Sequence, residues 1–246
     1  MSAKRLDDLE IDTDTISTEF THLDHMYSGR FSKYYYRRFD QALEAAQSAK
    51  DETVLEIGGG TGVFLLSLSE IYSDVHFTDI SREHPPFSTA RRLLNLAGTT
   101  DDNVKYAVAD ATTLPYQSNT FDSVFVLDVL EHIPDERNAI SEIARVTAKG
   151  GRAIVSAPIE VGLPIMVREG YRLIDGNRRH TESLRELLSA AVGRPSLETN
   201  DQHRGYDYRQ TMKWLKEDFE KVSVEYCPWP ALGSQFNPTA IITAEF

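Results

Sequence analysis

"VLEIGGGTGVF", residues 54–64, is the stretch whose reading decides the fold. Val54, Leu55 and Ile57 suit a strand, Glu56 interrupts them, and Gly58, Gly59, Gly60 and Gly62 follow at once. A short strand that breaks into glycine and then into a helical pattern is the entry to a doubly wound α/β sheet. The glycines let the chain turn tightly and approach a ligand with no Cβ in the way. Spacing then narrows the ligand. A dinucleotide fingerprint wants Gly-x-Gly-x-x-Gly; Gly58 and Gly60 fit it, but Val63 stands at the third position. The pattern here is Gly58-x-Gly60-x-Gly62 with an acid two residues ahead. A bare turn without a ligand stays open at this point.

Outward from that stretch, strand and helix patterns alternate. "TVLEI", "DVHFTDI", "VKYAVAD", "FDSVFVLDVL" and "RAIVSAP" read as strands. "VFLLSLSEIY", "FSTARRLLNLAG" and "PDERNAISEIARVTAKGG" read as the helices between them, the last closed by Gly150 and Gly151. This alternation implies a parallel sheet with helices on both faces. Upstream, Phe31, Tyr35, Phe39, Leu43 and Ala46 recur at helical spacing and predict an amphipathic helix. Downstream, residues 159–206 contain helical pieces such as "HTESLRELLSAAV" but no clear strand. A helix, "YRQTMKWLKEDF", and the strands "EKVSVEY" and "TAIITAEF" close the chain. Residues 1–26, polar and acidic, read as a flexible segment ahead of one domain over 27–246.

Composition excludes several classes. The 246 residues carry a net charge of −12, so bare phosphate backbones are poor partners. No run reaches the apolar length of a membrane span, and the acidic N-terminus has no apolar core of a signal peptide. One cysteine, Cys227, allows no internal disulfide and suits a reducing cytoplasmic interior. No His or Cys pairs stand at metal-ligand spacing, so no metal is expected. Of 26 basic residues, 18 are Arg and 8 are Lys. Acid-rich and lysine-poor, the chain has the composition of a halophile's protein, in which surface charge maintains solubility.

Ligands of open parallel sheets sit outside the carboxyl ends of the strands. Those ends offer Glu56 with the glycine turn, then Asp79, Asp110 and Asp128. Glycine loop, acid after the second strand, "AD" after the third and "DVLEHIPD" after the fourth together resemble the class I S-adenosylmethionine-dependent methyltransferases, over residues 50–158 and by topology at the last strands. The resemblance implies a Rossmann-like seven-stranded, mostly parallel sheet with an antiparallel last strand and a helical cap inserted before the sixth strand. It implies S-adenosylmethionine as cofactor. Gly58, Gly60 and Gly62 would pass under its methionine part, Asp79 would hold the ribose and Asp110 the adenine amino group. Asp128 would face the methionine end, and Glu56 would orient the loop. Asp110 as a turn cap and Asp79 as a solvent-facing acid are the plainer alternatives.

The acceptor is less legible. His132, just past the fourth strand, is the candidate base, with a pocket-lining role equally open. Between Met166 and Gln210 stand eight arginines, among them Arg178, Arg179 and Arg204. With His203 and Tyr35 they form the candidate acceptor site, a cap for an anionic substrate. Arginines paired across an acidic surface are the competing reading. An acidic small molecule or lipid-linked sugar fits best. Methyl esterification of a hexuronic acid in an archaeal glycan is the specific expectation, similar to what a haloarchaeal methyltransferase of N-glycosylation does. That acceptor would be met at the inner face of the membrane. A quinone-precursor methyltransferase and a non-catalytic cofactor-binding regulator are the alternatives.

Overall fold

The strand nearest the glycines forms as read: β1 is Thr53–Ile57. The computed structural model describes residues 2–6, 9, 32–47, 49–80, 87–159 and 206–246. The expected cap helix, and Arg178, Arg179, His203 and Arg204 with it, lie outside the described residues.

Six further strands join β1: β2 (Asp74–Asp79), β3 (Val104–Val108), β4 (Phe121–Leu127), β5 (Thr147–Pro158), β6 (Lys221–Cys227) and β7 (Thr239–Glu245). Their order is β3-β2-β1-β4-β5-β7-β6. β1 to β5 pair in parallel, while β7 runs antiparallel to both β5 and β6. The seven-stranded sheet with one antiparallel strand, which the resemblance implied, is therefore what forms. The order turns back between β1 and β4, which opens a crevice at their carboxyl ends.

Five helices flank the sheet among the described residues: α1 (Ser32–Ala46), α2 (Leu65–Ile71), α3 (Ser88–Leu96), α4 (Glu136–Val146) and α5 (Tyr208–Asp218). Successive strand residues point to opposite faces. In β4, Phe125 joins a core with Leu43, Leu66 and Leu93 from α1 to α3. Val124 and Val126 join the other core, with Ile140 and Ile143 of α4 and Leu215 of α5. Both faces are thus covered, which is why the parallel strands read as near-continuous apolar runs.

Three local expectations need correction. The helix read as far as Gly151 stops at Val146, and Thr147–Gly151 already belong to β5. Thr147 turns its hydroxyl back onto the Ile143 carbonyl at 2.7 Å and pairs with Phe121 in the sheet. Gly151 serves the irregular register between Phe121 and Ser123: a Cβ there would lie 2.8 Å from the Asp122 carbonyl oxygen. In α1 Phe39, Leu43 and Ala46 are buried as expected, but Tyr36 is buried with them and Tyr35 is only partly covered. Arg38, Asp40 and Gln41 are buried there too, against the expected amphipathic division. Arg38 pairs with Asp128 and Gln41 donates to the Tyr226 carbonyl at 3.5 Å, while Asp40 and Tyr36 are covered by the N-terminus, where residues 2–6 are docked rather than flexible. Ala3 N–H donates to Asp40 Oδ1 at 2.7 Å, Leu6 N–H to the Tyr36 hydroxyl at 2.7 Å, and both residues are buried.

Candidate active site

The glycine turn is built by close contact. A Cβ on Gly58 would come 2.5 Å from Val129 Cγ2, and one on Gly59 2.0 Å from the Phe77 ring. Only bare backbone fits against those two side chains. Gly60 is different: its φ is +54° and a Cβ there would meet nothing within 4 Å. It faces the open crevice, and its N–H donates to Asp79 Oδ2 at 2.9 Å. Asp79 thus braces the loop, a task the sequence did not reveal. Its position at the end of β2 leaves it beside the crevice as well.

Glu56 is buried at 4% exposure, and its Oε2 has no hydrogen-bond partner among the described residues. Burial pushes its carboxyl well above the ordinary range, and the nearby Asp79 charge adds to this. An orphaned buried acid beneath a glycine turn is costly unless a donor or cation arrives. That donor set fits S-adenosylmethionine, which carries both a sulfonium and an ammonium group.

Next to Asp79 the surface turns apolar. Ile80 and Val108 are 63% and 54% exposed. Val108 pairs with Asp79 across β2 and β3, so the two apolar side chains and the acid share one strand-end ledge. Such a ledge would give a purine its apolar faces, with Asp110 two residues further on. Asp110 itself is exposed and accepts from the Thr112 N–H at 2.8 Å and its hydroxyl at 2.7 Å, which hold its carboxyl below the usual range. The turn-cap reading of Asp110 is correct in geometry, and the exposed carboxylate still faces the ledge's end of the sheet.

Across the crevice, Asp128 follows β4 with φ +56°. Its carboxylate is shared between Arg38 of α1, in an ion pair, and the Ser156 hydroxyl of β5 at 2.6 Å. Arg38 also lies over the Tyr35 ring, 5.2 Å from its centroid, and Tyr35 meets Tyr34 edge-on at 5.1 Å. The Tyr34 hydroxyl reaches Thr239 Oγ1 at 3.5 Å, so the first half of α1 overhangs the same strand ends. His132 sits exposed in the 3-10 turn Leu130–His132. Behind it, the Tyr206 hydroxyl contacts Thr211 Oγ1 at 2.8 Å, and Thr211 donates to Glu136. Burial raises Glu136 to about 7. The loop after β6 presents Trp229, Leu232 and Phe236, all more than half exposed, on a turn braced by the buried Asn237.

The fold therefore brings Glu56, the glycines, Asp79 and Asp110 to one side of the crevice, and Asp128 with Tyr35 to the other. Sequence reading missed Arg38, Ser156 and Glu136. Arg38 had a faint signal, a basic pair inside the aromatic run "YYYRRF"; Ser156 had none.

Comparison with known proteins agrees. A family model described as a methyltransferase domain matches residues 55–155. The ubiquinone/menaquinone biosynthesis C-methyltransferase UbiE of Enterobacter sp. (strain 638) is 30% identical over 212 residues, 85% of this chain and 77% of that protein. Demethylmenaquinone methyltransferase of Clavibacter sepedonicus is 33% identical over 151 residues, 56% of this chain and 59% of that one. O-methyltransferase rstn1 of Aspergillus nomiae is 30% identical over 122 residues, 49% and 53%. The matched stretch spans little more than half of these last two relatives. Among solved structures, a chain of the complex of the Haloferax volcanii Trm112 methyltransferase activator superposes with TM-score 0.61 at 14% identity, covering 95% of this chain and 96% of that one. The cyclase SpnF superposes at 0.60 and 18% identity, covering 87% and 82%. These likenesses concern the fold alone.

Proposed function

Because this chain belongs to the class I S-adenosylmethionine-dependent methyltransferases, we propose that it methylates a small or lipid-linked acceptor bearing acid groups, with the carboxylate of a hexuronic acid in an archaeal glycan as the specific acceptor. S-adenosylmethionine, when bound, supplies a methyl group already activated as a sulfonium. The chain's task is to orient. Glu56 and Asp79 take the cationic and hydroxyl parts of the cofactor, and Ile80 and Val108 flank its base, with Asp110 at the amino group. Asp128 stands at the methionine end. A carboxylate acceptor arrives ionised and needs no base, only alignment of its oxygen behind the methyl carbon. Alignment alone contributes up to roughly 7–11 kcal/mol.

The observation that carries this reading is the Arg38 guanidinium, held at the end of β4 by Asp128 and lying over the Tyr35 ring, which Tyr34 meets edge-on. Arginine suits planar carboxylates through paired N–H donors, and tyrosine rings suit the faces of a sugar. Arg178, Arg179, His203 and Arg204 would complete the site from the insert.

A second reading has its own support. A relative matched over 85% of this chain is a ubiquinone/menaquinone biosynthesis C-methyltransferase. A carbon or hydroxyl acceptor must lose a proton, and His132 or Glu136 could take it. One experiment separates the two. The pure protein is incubated with methyl-labelled cofactor and a lipid-and-glycan extract, and the product is treated with mild alkali. Released label means a carboxyl ester; label that resists means an ether or carbon–methyl bond and overturns the uronate reading in favour of the quinone-type acceptor.

A further inference from the structure

We propose that Ser156, a strand residue remote from any motif, is a positioning residue that shapes the cofactor turn through Asp128 and Val129. It rests on the glycine turn being the donor site. Ser156 is 1% exposed and lies opposite Leu127 in the β4–β5 pairing. Its hydroxyl does two things at once. It donates to Asp128 Oδ1 at 2.6 Å and accepts from the Asp128 N–H at 2.8 Å. Both bonds close on a residue with φ +56°, a region L-residues rarely occupy. Asx side chains enter it when local hydrogen bonds compensate, and Ser156 supplies those bonds from a rigid neighbouring strand. Arg38 fixes the other carboxylate oxygen from α1.

The consequence appears one residue later. With Asp128 turned this way, Val129 lies directly against Gly58, so close that a Cβ at Gly58 would meet both its methyl carbons within 2.8 Å. Gly58 and Gly59 hang from the Thr78 carbonyl on the other side, at 2.8 and 3.2 Å. The turn is therefore clamped between β2 and the residue that Ser156 positions. Without the hydroxyl, the Asp128 N–H keeps only the Ser156 carbonyl at 3.4 Å. Asp128 can then relax toward φ < 0, Val129 withdraws, and the turn loses one wall.

Calorimetry with S-adenosylhomocysteine tests this without knowledge of the acceptor. Ser156→Ala should weaken binding about tenfold, the scale of a hydrogen bond to a charged group. Ser156→Thr keeps the hydroxyl and should stay within about threefold. Glycine adopts positive φ unaided, so in an Asp128→Gly background Ser156→Ala should cost under about threefold. Hydrogen exchange of the ligand-free chain should quicken at residues 58–62 in Ser156→Ala. Protection of those same amides by S-adenosylhomocysteine in the unmodified chain tests the donor-site reading separately. A Ser156→Ala chain that melts lower but binds as before has lost packing only, and that outcome overturns the proposal. So does an equal loss in the Asp128→Gly background, or Ser156→Thr binding no better than Ser156→Ala.

Discussion

The two halves of the crevice are built over very different distances in the chain. On the donor side, Glu56, the glycines and Asp79 lie within 24 residues, on two adjacent parallel strands and the turn between them. On the other side, Arg38 meets Asp128 across the sheet, Ser156 reaches Asp128 from a third element, and Tyr206 is joined to Glu136 through Thr211. A site built from one βαβ unit tolerates no Cβ at Gly58 or Gly59, where the backbone itself is the wall. A site built from distant side chains can lose one member and keep its frame. Donor-side substitutions should therefore be severe and acceptor-side ones graded.

Gly58→Ala should give the largest effect. The added methyl combines positive φ with a clash against Val129. Strain of this kind costs of order 1–3 kcal/mol before the clash is counted, so S-adenosylhomocysteine affinity should fall about hundredfold or more. Calorimetry reads it, and affinity within tenfold of the parent would break the contrast between the halves. Asp79→Asn comes next, since it removes a charge that braces Gly60 and, on the proposed donor reading, would hold the ribose. A loss of about ten- to hundredfold in cofactor affinity is expected by the same measurement.

Glu56 sharpens the comparison through pH. Its folded carboxyl is raised above the ordinary 4.5 by burial. The folded cofactor-free chain keeps the proton that the unfolded chain releases, so this group's contribution is full below 4.5 and shrinks as pH rises toward the folded value. Glu56→Gln removes that dependence. Thermal melts from acid to mildly alkaline pH should decline less steeply than the parent's, with a gain of about 1–3 kcal/mol at the alkaline end. The rise in Tm on adding cofactor should shrink. Parallel pH profiles for the two chains would mean that Glu56 is already partnered. Smallest of all on the donor reading is the pair Arg178→Gln and Arg179→Gln. Cofactor affinity should stay within about twofold, while the acceptor KM rises about tenfold. Unchanged acceptor kinetics would assign these arginines to the surface.

These differences mirror what could be read in advance. The donor half was legible because strand, turn and acid follow one another, and their spacing is the geometry. Even there, the Gly60–Asp79 bond and the apolar ledge of Ile80 and Val108 went unread, because neither changes the pattern of the run. The helix boundary at Val146 was misread since Gly150 and Gly151 resemble a helix stop, whereas Gly150 supplies a positive φ within β5 and Gly151 lets β5 approach the Phe121–Asp122 backbone. The docked residues 2–6 went unread because polar composition hides the backbone donors that Asp40 and Tyr36 accept.

By itself, the sequence determined the alternation of strands and helices, the glycine turn, and the acids at successive strand ends. Those follow from local periodicity and from residues close together in the chain. Only the tertiary structure decided that Arg38 faces Asp128, that Ser156 holds Asp128 at positive φ, and that Val129 walls the turn. Contacts of that kind depend on strand order and register. The turn-back between β1 and β4 brings α1, β4 and β5 to one crevice, and no spacing along the chain encodes that meeting.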